Sequence, residues 1–182
     1  MKLIHPYCKY VANLIDKNDI DKIYHDTRYG RRIKDDNELF GILLMEINQA
    51  GLSWQIILKK EKGFRRAYNN FDIKKVAKYK KKDFTRLMND SGIIRNKLKI
   101  NAAIYNAQKI LELQKEYGSF RKWLDIKSKE IEQDKNKWIK EFKKLFKFMG
   151  IEIVGEFLMG INMLDGAHDK HCFVYKKILR MK

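Results

Sequence analysis

The chain has 182 residues, enough for one domain with a core of its own, and its 40 Lys+Arg against 23 Asp+Glu leave a net charge of +17. Charge of that size favours polyanions, nucleic acid first, although an A/T-biased genome would inflate lysine without any such role. A single proline (Pro6), ten scattered glycines and no repeat exclude a linker-joined pair of domains, and no apolar run is long enough for a bilayer span. The polar start "MKLIHPYCKY" is unlike a signal peptide, so a cytoplasmic protein is expected. Cys8 and Cys172 stand at opposite ends of the chain; a disulfide is not expected in that compartment, and metal binding stays open.

In chain order the patterning is helical. "DNELFGILLMEINQA" sets Leu39, Phe40, Leu43, Leu44 and Ile47 on one stripe, with Asp36 or Asn37 as N-cap. Glu46 borders that stripe, where a carboxylate is costly without a partner. It reads as a pocket acid or, more commonly for a lone Glu, as a rim residue paired with a lysine. Ala50-Gly51 in "QAGLSW" (49–54) breaks the helix, and Ser53 can cap the next, "SWQIILKKEKGFRRAYNNF". Asp72 and Asp83 head two short helices, "FDIKKVAKY" and "KKDFTRLMND". "KLKINAAIYNAQKILELQKEYG" is a long amphipathic helix closed by Gly118, and Ser119 caps "SFRKWLDI". Residues 126–147 read as helix plus solvated loop, and "GEFLMGINML" as a last apolar helix before "DGAHDKHCF". "IEIV" is the one weak strand signal and is set aside, so the expected fold is a single all-α domain over 1–182.

Three groupings could carry chemistry. In "DSGIIRNKLKI" (90–100) a short helix ends at Ser91, Gly92 can take a positive φ, Ile93 and Ile94 follow, and a basic helix begins. That is the layout of a helix-hairpin-helix, whose amides can hold a phosphate, with Arg95, Lys97 and Lys99 adding charge but no sequence readout. An ordinary helix–helix turn fits the spacing equally well. His168 and Cys172, four apart, would share a helical face and could chelate an ion, with Cys8 and His25 completing a set. That spacing is no standard finger, His5 and His171 compete, and buried thiols with surface histidines are the commoner outcome. Tyr24 and Trp54 fit either a stacking pair or the core.

Taken together, "YHDTRYG", "DDNELF", "QAGLSWQIILKKEKGFRRAYNNFD", "GIIRNKLKI", "NAQKIL", "GSF" and "IVGEFLM", with the terminal His168-x-x-x-Cys172, closely resemble the DNA-3-methyladenine glycosylase I family. The resemblance covers nearly the whole chain in order. It implies a helix-hairpin-helix glycosylase that removes 3-methyladenine from alkylated double-stranded DNA, a base excision repair activity. It assigns a structural Zn²⁺, joining the chain ends, to Cys8, His25, His168 and Cys172. It places Glu46 as the catalytic pocket acid and Tyr24 and Trp54 against the flipped base. Gly51 and Leu52 would approach the duplex beside the gap, and Gly92, Ile93, Ile94, Arg95 and Lys97 would form the DNA-binding hairpin. The chain departs from the family where Tyr10 stands in place of a Trp that would stack on the base, where Arg28-Tyr29-Gly30 stands for Glu-Trp-Gly, and in a longer Cys8-to-His25 gap that leaves His5 as a substitute ligand. The Gly-Pro-Asp segment of related glycosylases is absent, which implies a monofunctional hydrolase rather than a lyase. The rival readings are a non-catalytic DNA-binding module of the same fold and a basic RNA-associated protein; a monomer is expected.

Overall fold

The computed structural model describes residues 5–179. Its helices are α1 (Pro6–Ala12), α2 (Ile20–Thr27), α3 (Asp36–Gln49), α4 (Trp54–Ala67), α5 (Ile73–Val76), α6 (Lys81–Asn89), α7 (Lys97–Tyr117), α8 (Phe120–Ile131), α9 (Lys135–Leu145), α10 (Ile151–Gly160) and α11 (Phe173–Leu179), with a 3₁₀ turn at Asn69–Phe71. No strand occurs among the described residues; "IEIV" opens α10, its apolar run absorbed by the core. No helix among them is long and apolar enough to cross a membrane.

The architecture is organised around α3. Every residue from Leu39 to Asn48 is buried, so the expected one-sided stripe is instead a helix covered on all sides by α4, α7, α8 and α10. Its cap is Asp35, which accepts from the Glu38 amide at 2.9 Å. Asp36, the expected cap, instead accepts from Gln114 Nε2 and from the amides of Phe120 and Arg121, at 2.6, 2.8 and 2.9 Å. One carboxylate thereby fastens α3 to the start of α8. Asp72 and Ser119 cap α5 and α8 as expected, and Gly118 ends α7 at φ +88°. Asp83 lies inside α6 rather than at its cap, accepting from the Lys80 amide at 3.0 Å. The stretch read as helix plus loop resolves into the end of α8, a short turn and α9. Trp123 and Phe157 pack there on Phe120, Trp138 on Trp123 and Phe142 on Phe157, all fully buried.

The turn between α6 and α7 is held against α4 by the absence of side chains. Gly92 does not take a positive φ, contrary to expectation. The glycine that proximity requires is Gly63, on which a Cβ would run into the Gly92 carbonyl; one on Gly92 would meet the movable end of Arg66, 2.6 Å away. Asp90 Oδ1 accepts from the Gly92 amide at 2.7 Å, and Lys60 Nζ donates to the Ser91 carbonyl at 2.8 Å. Gly63→Ala should therefore lower stability by about 2 kcal/mol, because the backbone clash outweighs the helix-propensity gain of about 1 kcal/mol. A urea unfolding midpoint unchanged or raised by the substitution would show that the turn stands further from α4.

Candidate active site and metal centre

The bend at Ala50–Ser53 aims the start of α4 at the side of α3. Gly51 takes φ +85°, and a Cβ on it would have open space, with nothing within 4 Å, so glycine is required there for conformation rather than for room. The bend delivers Trp54 against Tyr24 of α2, with ring centroids 5.2 Å apart at 57°. Together with Tyr7, Tyr29, Glu46 and Gln49 these rings line one small cleft. Tyr24–Tyr29 centroids are 5.9 Å apart, and Tyr7 meets Tyr29 edge-on at 5.6 Å.

Two polar atoms on this wall are buried and unpaired, Glu46 Oε2 and Trp54 Nε1. Native proteins seldom leave such atoms without a partner, so a cleft with one acid and one N–H donor orphaned among aromatic faces is built for a ligand with a polar edge. Glu46 is only 3% exposed. Burial first, and Glu156 second, push its carboxyl well above the ordinary range. Tyr10, expected in the pocket, does not line the cleft; it is 45% exposed and stacks on the outer side of Tyr7, at 6.3 Å and 17°. Tyr7 occupies the wall instead, its hydroxyl donating to Asp21.

Beyond Tyr7, α1 and α2 meet the turn that precedes α11. Cys8, His25, His168 and Cys172 are all buried, their donor atoms within 4.8 Å of one another. The inner nitrogens, His25 Nε2 and His168 Nδ1, are 3.2 Å apart. Their distances to the two sulfurs run from 3.4 to 3.9 Å. Bonds of about 2.0–2.3 Å to a tetrahedral ion would put such donors about 3.3–3.8 Å apart, so the set fits a cation. The outer nitrogens fix the tautomers. His25 Nδ1 faces Asp26 Oδ1 at 2.7 Å and His168 Nε2 faces the Tyr29 carbonyl at 2.9 Å, so each ring donates outward and turns a lone pair inward. Without an ion the surroundings favour neutral groups: burial pushes the Cys8 thiol up to about 12 and the His168 imidazole down to about 4. His168 and Cys172 stand in a turn before α11, not on a helix as expected. His5 does not join the cluster; its Nδ1 caps α1 from the Cys8 amide at 3.5 Å. His171 enters only through its amide, which donates to Asp169 Oδ1 at 2.8 Å.

A model of the family described as methyladenine glycosylase matches residues 14–175. The chain belongs to the methyladenine glycosylase family. It is 32% identical over 158 residues to the DNA-3-methyladenine glycosylase of Haemophilus influenzae, covering 78% of this chain and 85% of that one. Over 91 residues it is 42% identical to DNA-3-methyladenine glycosylase 1 of Escherichia coli, covering 50% of this chain and 49% of that one. The solved 3-methyladenine DNA glycosylase I from Staphylococcus aureus superposes with a TM-score of 0.77 at 32% identity, over 87% of this chain and 93% of that one. A 3-methyladenine DNA glycosylase I variant crystallised with 3-methyladenine gives 0.78 at 30% identity, over 87% and 94%.

Of the segments expected at the DNA, the α3–α4 bend adjoins the cleft, between Gln49 and Trp54. Leu52 is 37% exposed on the α3–α4 bend. In the α6–α7 turn Ile93 is buried, Ile94 half-buried, and Arg95 and Lys97 exposed. Lys99, expected as surface charge, is buried instead: its Nζ donates to the carbonyls of Asn48 and Ala50 at 2.9 and 2.8 Å. It thus closes the C-terminus of α3 and ties the α6–α7 turn to the bend that carries Leu52. Tyr7, Gln49 and Glu156 give no signal in the sequence, because they sit on three elements that meet only in the folded chain.

Proposed function

We propose that this chain is a monofunctional DNA glycosylase that flips 3-methyladenine out of alkylated duplex DNA and hydrolyses its N-glycosidic bond, leaving an abasic site. The observation that carries the reading is the pair of orphaned atoms, Glu46 Oε2 and Trp54 Nε1, on a cleft walled by Tyr7, Tyr24 and Tyr29. A base inside a duplex is unreachable; extruded, it stacks on aromatic faces and is read along its polar edge. Glu46 accepts from that edge. A base methylated at a ring nitrogen while still on its sugar is cationic, so its arrival returns the buried Glu46 to the carboxylate form. As the bond breaks, positive charge passes to the sugar, the base departs neutral, and water adds to the oxocarbenium-like sugar, giving up one proton to solvent. Among the described residues no lysine lines the cleft, and Lys99 is committed to two carbonyls, which accords with simple hydrolysis.

In this reading α6, the turn at 90–96 and α7 form the helix-hairpin-helix, whose turn amides hold a phosphate while Arg95 and Lys97 add charge. Leu52 stands at the gap left by the flipped base. The metal is zinc held by Cys8, His25, His168 and Cys172; four protein donors leave no position for an activated water, so its contribution is to pin the chain ends behind Tyr7 and Tyr29. The partner is double-stranded DNA, and the working unit is one monomer of a single domain.

The test is to identify bases released from duplex DNA treated with a methylating agent. Wild-type protein should release 3-methyladenine, and Trp54→Ala about tenfold to a hundredfold less, given stacking of about 1–3 kcal/mol per base. Arg95→Ala should weaken DNA binding at every sequence and flatten its salt dependence by about one charge. A folded wild-type protein that binds DNA without releasing a base would make the chain a DNA-binding module.

A further inference from the structure

One contact on the cleft wall takes no part in the hydrolysis itself. Tyr29 Oη donates to Glu156 Oε2 of α10 at 3.0 Å. Tyr29 is 4% exposed and held on every side. Its amide donates to the Tyr24 carbonyl at 3.0 Å, its own carbonyl faces His168 Nε2, and the next amide, of Gly30, donates to the Gly160 carbonyl at 2.8 Å. A Cβ on Gly160 would already lie 3.6 Å from the Tyr29 ring, so α10 packs directly on it. The ring cannot turn away from the cleft, and its hydroxyl has one acceptor, a carboxylate. His5 lies within electrostatic reach of Glu156, while Arg28 forks onto Glu61 at 2.6 and 3.0 Å and Arg65 onto Glu38 at 2.8 and 2.7 Å.

A phenol that donates to a carboxylate is polarised toward phenolate, and its π-face becomes more negative. An electron-rich face attracts a cation more strongly than a neutral ring does. The part of the cleft wall that Tyr29 supplies is therefore tuned for charge as well as for shape. We infer that Glu156 is a positioning and specificity-determining residue which, through Tyr29, makes the cleft select a base that carries a positive charge while still attached to its sugar. The inference rests on the glycosylase reading and deepens it. Cleavage removes that charge from the base, so the same wall grips substrate and loosens its hold on product. The sugar adjoins the base, so the charge stays within reach of the ring as it spreads onto the sugar; the interaction is felt about equally in ground and transition states and acts on substrate capture rather than on the chemical step.

The experiment compares wild type, Glu156→Gln and Tyr29→Phe by single-turnover and steady-state release of 3-methyladenine from methylated duplex, with thermal melts to verify folding. Wild-type release is scored first, and its absence overturns the glycosylase reading and this inference together. Glutamine keeps an acceptor for the phenol but removes the charge, so Glu156→Gln should raise KM about fivefold to tenfold with kcat within twofold. Tyr29→Phe should give the same shift, and the double variant should add nothing further. Competitive inhibition by free, neutral 3-methyladenine should change less than about twofold, because that ligand lacks the charge. An active wild type with Glu156→Gln at the wild-type KM overturns the inference alone. So does an equal loss of affinity for the neutral base, which would make Glu156 a prop for the ring's position only.

Discussion

Glu46→Gln should cut kcat/KM for 3-methyladenine release by about a hundredfold or more, the usual scale for removing one preorganised group that faces developing charge. The same substitution should stabilise the protein at mildly alkaline pH. Glu46 is held well above its ordinary value of 4.5, by burial first and by Glu156 second. The folded state therefore holds this proton more tightly than the unfolded chain does. The resulting stability is fully present below the ordinary value and lost as pH rises through the folded one. Glutamine carries no such proton, so the variant escapes the loss. Its melting temperature should exceed that of wild type by about 3–6 °C at alkaline pH, corresponding to about 1–2 kcal/mol, and converge with it in mild acid. The acid limb of the kcat/KM profile should lie above the usual carboxylate range in wild type and vanish in the variant. Retained release within about threefold, or a melting gain that ignores pH, would remove Glu46 from the catalytic role.

The same residue shows where the sequence is legible and where it is not. The periodicity of 36–49 identifies a helix, and the position of Glu46 beside the stripe flags a carboxylate in need of a partner. Periodicity gives one buried face, however, and α3 has no exposed one along its middle, because α7, α8 and α10 arrive from far along the chain. Lys99 departs from its expected place for the same reason. Its spacing on a basic helix suggests solvent, but its acceptors are carbonyls 49 and 51 residues earlier. Tyr7 stands on a seven-residue helix too short to show a pattern, and nothing in the sequence ranks it above the exposed Tyr10 that stacks on it. The close approach of the α6–α7 turn to α4 falls on Gly63 rather than on Gly92; turn chemistry is local and readable, whereas the contact of Gly63 with the Gly92 carbonyl is not. The hinge at Gly51, the caps at Asp72 and Ser119 and the stop at Gly118 depend on neighbours only, and those are legible.

Metal removal should be nearly as damaging as loss of Glu46, through structure rather than chemistry. Four donors drawn from both ends of the chain face one point, and the outward hydrogen bonds of His25 and His168 leave two lone pairs 3.2 Å apart. Two lone pairs at that distance repel unless a cation lies between them. As purified, the protein should carry one zinc per chain by elemental analysis. A strong chelator, or Cys8→Ala or Cys172→Ala, should lower stability by about 3–5 kcal/mol, which is about 6–20 °C in melting temperature for a chain of this length. Base release should fall in parallel, because His168 also holds the Tyr29 carbonyl and α1 carries Tyr7, so two walls of the cleft rest on the cluster. His5→Ala separates ligation from capping. It removes the N-cap acceptor of α1 and should cost about 1 kcal/mol with the zinc retained. Loss of zinc from His5→Ala with retention in Cys8→Ala would exchange the two residues' roles. A melting temperature indifferent to chelation would mean that α1 and α11 are held by packing of Cys8, Cys172, Val174 and Ile178 alone.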